Sequence, residues 1–123
     1  MKSKLTILLY LSVAAFSAMA GEWVFSYHPA SAKYAIYGNS LGEPVKPSID
    51  DSKIAFEVTG SAAKEIFDAI APDRPDQCSS ENGTRFRSRD DEKLSCVRSK
   101  KGEYSCYFGF DLKSGKSIGG SIC

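Results

Sequence analysis

The fold is decided by residues 94–123, which read LSCVRSKKGEYSCYFGFDLKSGKSIGGSIC. From Tyr104 to Leu112, large apolar residues alternate with small or polar ones, which is the period-two pattern of a strand with one buried face. The same alternation occurs at residues 94–98, and Gly102 lies in the polar segment between the two runs. We therefore predict a β-hairpin whose turn is centred near Lys101 and places Cys96 opposite Cys106.

A second turn is expected after this strand. Ser114-Gly115 supplies the residues of a two-residue turn, and the chain beyond it has room for one more short strand. A turn at this point would set Cys123 opposite Cys106 from the other side. The strand that carries Cys106 is thus predicted to lie at the centre of a C-terminal three-stranded meander.

The first twenty residues have the parts of a secretory signal peptide. Lys2 and Lys4 precede an apolar run, and Ala18-Met19-Ala20 forms a small-residue cleavage site typical of bacterial export. The apolar run is shorter than a membrane span requires, and no later run approaches that length. We expect cleavage after Ala20 and a soluble protein in the periplasm or outside the cell, with a single domain over residues 21–123.

Four cysteines in an exported chain of this size most often form two disulfides. We favour the pairs Cys78–Cys96 and Cys106–Cys123, because they join sequence neighbours and fasten the last residue of the sequence to the sheet. The alternative is a Cys96–Cys106 bond directly across the hairpin, which leaves Cys78 to pair with Cys123. A zinc site is disfavoured because the spacing has no C-x-x-C pair, and we expect no metal or other cofactor.

The rest of the chain predicts an α+β fold in which one short helix packs on an antiparallel sheet. The sequence pattern indicates strands at residues 23–27, 33–37, 53–58 and 85–89. For residues 33–37 a short helix from Ala30 to Tyr37 is the alternative, because Pro29 suits the first turn of a helix. Residues 38–52 are rich in turn-forming residues and predict a long loop. Apolar residues at helical spacing predict a helix at 61–70, with Ser61 as its N-cap.

Charge does not favour nucleic acid as a partner. The sequence has 16 basic and 15 acidic residues, and removal of the signal peptide takes away two lysines, which leaves 14 basic residues and a net charge of −1. A polyanion-binding protein would carry a basic excess.

Catalysis has few candidate residues. His28 is the single histidine, which excludes a two-histidine ribonuclease mechanism. The alternative that remains open is a small secreted hydrolase of nuclease type, in which His28 would act with a carboxylate and an arginine. A structural envelope protein is the third possibility.

Two features favour a protein-binding function over an enzymatic one. Arg85, Arg87 and Arg89 alternate along one predicted strand, so their side chains should share a face and could bind carboxylates or phosphates of a partner; the alternative is a solvated edge strand protected by charge. Tyr107 would anchor a second recognition surface among small residues on the other face of the sheet; the alternative is that the helix covers this face, and the sequence leaves open which face the helix takes. We therefore expect a protein partner in the cell envelope or exterior, with the chain acting as an inhibitor or immunity protein against a cell-wall or secreted enzyme.

Overall fold

A computed structural model describes residues 21–75 and 82–122. The elements in chain order are β1 (Ser31–Asn39), β2 (Pro44–Val45), β3 (Lys53–Thr59), α1 (Ser61–Ala69), β4 (Arg85–Arg89), β5 (Leu94–Arg98), β6 (Tyr104–Asp111) and β7 (Ser117–Ile118). The strands form one antiparallel sheet in the order β2-β1-β3-β6-β5-β4, and β7 also pairs with β6. The predicted α+β class is confirmed, with most of the structure in the sheet. The predicted signal peptide lies outside the described residues.

The hairpin of β5 and β6 has the predicted register. Cys96 lies directly opposite Cys106, and the two form a disulfide with their Cα atoms 4.0 Å apart. The favoured pairs Cys78–Cys96 and Cys106–Cys123 are therefore wrong, because each would need a sulfur that is already bonded across the hairpin. Proximity in the sequence favoured those pairs, whereas the alignment of Cys96 with Cys106 across the hairpin determines which bond forms. Cys78 and Cys123 themselves lie outside the described residues.

The C-terminal meander differs from the prediction. β3 pairs with β6 along its whole length on one side, so β5 and β7 share the other side of β6, one beyond the other. The turn before β7 is also longer than two residues, since the Asp111 N–H donates to the Lys116 carbonyl and leaves four residues between them. Gly109 lies opposite Ile118. A two-residue turn at Ser114-Gly115 would have set Gly109 opposite Gly120, so the predicted register of this turn is wrong by two residues, and Cys123 lies outside the described residues.

Helix α1 packs on the face of the sheet that carries the disulfide. Phe67 and Ala63 are fully buried against Val58 and the Cys96–Cys106 pair, which together form the core. The helix begins after Gly60, which is the N-cap residue with φ 72°, and no side chain caps its first turn. The predicted N-cap role of Ser61 is wrong by one position because Ser61 already has helical geometry, and the predicted C-terminal end at Ile70 is confirmed as the C-cap.

Of the two strands predicted before residue 38, one forms and the other does not. The strand predicted at 33–37 forms and extends to residues 31–39 as β1, which settles the alternative with a short helix. The strand predicted at 23–27 does not form, because this segment has no strand beside it within the described residues and its side chains are exposed. Within the described ranges no helix has the length and apolar character needed to cross a membrane.

Candidate functional site

The side chains of Arg85, Arg87 and Arg89 on β4, which we call the arginine row, lie on the same side of the sheet as α1. The row contacts the C-terminal end of the helix. Arg87 donates a hydrogen bond from Nη1 to the carbonyl oxygen of Phe67 at 2.7 Å, and Arg89 donates one to the carbonyl oxygen of Ala71. The guanidinium of Arg87 also lies 4.0 Å from the centroid of the Phe67 ring. The Phe67 carbonyl also accepts a hydrogen bond from the Ile70 N–H at 3.3 Å, and Ala71 lies just beyond the helix. The C-terminal end of a helix attracts positive charge, so the two guanidinium groups suit this position.

Asp73 completes this network. Its carboxylate accepts hydrogen bonds from Nε of Arg85 at 2.8 Å and from Nε of Arg87 at 2.7 Å. The hydrogen bonds from Arg85 and then Arg87 lower the pKa of Asp73 to about 2. The three arginines proposed as a binding row are therefore engaged within the chain, and Arg87 is nearly buried with 12 % of its side chain exposed.

Tyr107 lies on the reverse face of the sheet, away from α1. It lies opposite Glu57 of β3, which in turn lies opposite Lys33 of β1. Beside this row a groove of about 250 Å³ has Ala35 and Ala55 among its lining residues. The C-terminal segment lies against the same face, where Ser121 Oγ is 3.3 Å from Ser95 Oγ. Tyr107 is half-buried between these features and contacts a groove large enough for a single side chain.

Part of the helix-side face of the sheet carries apolar side chains that α1 does not fully cover. The paired register puts Tyr34, Phe56 and Phe108 in one row across three strands, and the next row consists of Ile36, Ile54 and Phe110. We call these six residues the aromatic face. Its rings contact one another: Phe56 stacks on Phe108 with 5.2 Å between ring centroids, and Phe110 meets Phe108 edge-on at 6.3 Å.

The aromatic face is open to solvent. Tyr34 is 70 %, Ile36 46 % and Phe110 38 % exposed, and Phe56, Ile54 and Phe108 are half-buried. The sequence pattern predicted that Tyr104, Phe108 and Phe110 would form core, and this is wrong for Phe110 because the helix covers the other end of the strand. The alternation identifies which residues share a face. It does not indicate how far along the strand the covering helix extends.

His28 lies in the exposed segment that precedes β1. Its Nε2 atom is 3.4 Å from Ser26 Oγ, and no hydrogen bond joins it to a carboxylate of the described residues. The hydrolase alternative requires His28 beside a carboxylate in a cleft, and the described geometry offers it no support. Nor do histidine, cysteine and acidic side chains group into a metal-binding cluster in the parts of the chain that the structure describes.

Comparisons of the chain with protein-family models, with curated proteins and with solved structures find no match.

Proposed function

We propose that this chain is an exported protein-binding module and that it engages its partner through the aromatic face. The observation that carries the proposal is the open cluster of six apolar side chains on β1, β3 and β6. Contiguous exposed apolar surface is costly in water, and on soluble proteins it marks sites of interaction. Aromatic residues dominate the energy of such sites because they bury a large area with few rotatable bonds.

The partner we propose is a cell-wall or secreted enzyme, which would make the chain an inhibitor or immunity protein. Export of the chain is the expectation from its first twenty residues, and the Cys96–Cys106 disulfide agrees with an oxidising compartment. The arginine row contributes less to this proposal than the sequence suggested, because its guanidinium groups already bind Asp73 and the helix carbonyls.

The test is affinity capture from envelope extract with three matched threonine variants. Phe110→Thr truncates the exposed end of the aromatic face, Tyr107→Thr truncates the anchor of the reverse face, and Ile49→Thr changes a 93 % exposed residue in the loop before β3. Threonine suits the strand positions of Phe110 and Tyr107, and Ile49 is exposed in a loop, so each variant should fold. Circular dichroism checks that it does.

We expect wild type and Ile49→Thr to retain the same envelope protein and Phe110→Thr to lose it. An aromatic anchor contributes about 2 kcal/mol or more, which corresponds to roughly 30-fold weaker binding. Loss with Tyr107→Thr alone would transfer the site to the reverse face. If wild type retains nothing, the proposal fails and a structural envelope role is favoured.

A further inference from the structure

Most of the outer edge of β1 has no strand paired with it among the described residues. In the strand order β2-β1-β3, the short strand β2 pairs with Gly38 and Asn39 only, whereas β3 pairs with β1 from residue 31 to 37 on the other side. Alternate residues of 31–37 therefore point their backbone N–H and C=O groups to the outer edge, where no strand lies beside them among the described residues. The residues from 31 to 36 are all exposed.

This edge lacks the devices that keep strand edges from pairing. Such edges are usually short, bulged, interrupted by proline or protected by several charges. Residues 31–37 pair with β3 in an unbroken register, contain no proline, and have Lys33 as their one charged residue. At the other end of the sheet, by contrast, the Arg74 N–H donates a hydrogen bond to the Phe86 carbonyl of β4 at 2.7 Å, which covers part of that edge.

We propose that a second copy of this chain pairs with this edge, β1 against β1 in antiparallel orientation, about a two-fold axis that passes Tyr34. A two-fold interface must be self-complementary, and an antiparallel strand pair meets that condition when the axis crosses its central residue. This pairing opposes residue 31 to residue 37 of the second copy, residue 32 to residue 36, and residue 33 to residue 35. Tyr34 then lies opposite Tyr34 of the second copy.

The surroundings of β1 select this register over its neighbours. Centring the axis on Lys33 would oppose two like charges and would bring Pro29, which has no N–H, into the ladder. Centring it on Ala35 would require the edge at Gly38 and Asn39, which β2 already occupies. The register centred on Tyr34 uses all of residues 31–37 and avoids both conflicts.

The assembly would also extend the apolar surface. Residues directly opposite each other in an antiparallel pair share a face, so Tyr34 and Ile36 of both copies would lie together on the side of the two helices. The two aromatic faces would then become one continuous surface across the axis. This inference does not depend on the proposed function, because the edge pairs through the backbone of β1 and leaves Phe108 and Phe110 open.

The test uses charge at the residue on the axis. Sedimentation of the mature chain with its disulfides intact should give twice the mass of one chain, over a concentration series that extends to the millimolar range. Tyr34→Lys and Tyr34→Glu each place like charges directly opposite each other, so each alone should sediment as a monomer. In an equimolar mixture of the two variants, the introduced lysine of one chain lies opposite the introduced glutamate of the other, so the dimer should form again. Ile49→Lys, which adds a charge to an exposed loop, should leave wild-type association unchanged.

Four results would overturn the proposal. These are a monomeric wild type at every concentration, dimers that persist in both Tyr34 variants, a mixture that stays monomeric, and loss of association in Ile49→Lys. Because capture through Phe110 is measured separately, failure of the dimer and failure of the proposed function are distinguishable.

Discussion

Replacing Arg87 with alanine removes three contacts that fix the end of α1 to the sheet. The lost contacts are the 2.7 Å hydrogen bond to the Phe67 carbonyl, the 2.7 Å hydrogen bond to Asp73, and the packing over the Phe67 ring at 4.0 Å. A hydrogen bond from a charged donor contributes about 1.5–3 kcal/mol. A cation over an aromatic ring adds about 0.5–2 kcal/mol.

We therefore expect Arg87→Ala to lower the free energy of unfolding by roughly 3 kcal/mol. The contribution of Asp73 adds little to this total, because Asp73 is 44 % exposed and keeps its hydrogen bonds to Arg85. For a domain of this size the loss corresponds to a fall in Tm of roughly 15 °C. Urea unfolding followed by circular dichroism measures the change directly.

Arg85→Ala is the matched control. Arg85 also binds Asp73, but its side chain is 43 % exposed and its guanidinium lies 5.4 Å from the Phe67 ring. We expect a much smaller loss of stability for this exposed ion pair than for Arg87→Ala. Arg87→Met keeps an apolar side chain over the Phe67 ring, so its loss of unfolding free energy should lie between those of Arg85→Ala and Arg87→Ala. If Arg87→Ala costs no more than Arg85→Ala, the arginine row does not anchor the helix.

Two further predictions concern acid stability and the disulfides. Hydrogen bonds hold the pKa of Asp73 at about 2 in the folded protein, against 3.8 ordinarily, so the stability that Asp73 contributes is present above pH 4 and is lost as the pH falls from about 4 to about 2. We expect this loss to be about 1 kcal/mol after allowance for solvent screening, and to be absent in Asp73→Asn; an unchanged acid profile in that variant would contradict the assignment. Replacing both Cys96 and Cys106 by alanine should cost roughly 3 kcal/mol, because the bond closes a loop between residues 10 positions apart. Tryptic mapping of the oxidised protein should recover Cys96 linked to Cys106 and, as the one intrachain bond then left, Cys78 linked to Cys123; a Cys78–Cys96 peptide would contradict both.

Alternation predicted β1, β3, β4, β5 and β6 because a strand with one buried face imposes its period on the sequence. The same signal failed at residues 23–27, where Trp23, Phe25 and Tyr27 alternate as regularly as the residues of β6 but no strand lies beside them in the described part of the chain. Period indicates which side chains share a face. It carries no information on whether a neighbouring strand is present to form the ladder.

The candidate site was harder to predict than the fold. The pattern correctly placed Arg85, Arg87 and Arg89 on one face of one strand. It did not reveal Asp73, which lies 12 residues before Arg85 and 14 residues before Arg87 and binds both. Asp73 reaches the row because the chain after α1 turns back along β4, where Arg74 forms a bridge to Phe86. The acidic residues 90–92 are closer to the row in sequence, yet Asp90 pairs with Lys93. Sequence distance was therefore a poor guide to the ion pairs.

The dimensions of α1 explain why the aromatic face stays open. A helix of nine residues is about 14 Å long and about 10 Å wide. The row of six strands from β2 to β4, about 4.8 Å apart, spans roughly 24 Å. Such a helix can cover only part of this face, and Arg87 and Arg89 hold its C-terminal end beside β4. The side chains left uncovered must then lie towards β1, where both the aromatic face and the unpaired edge are found. The contacts that anchor the helix thus also determine which part of the sheet keeps its apolar side chains exposed.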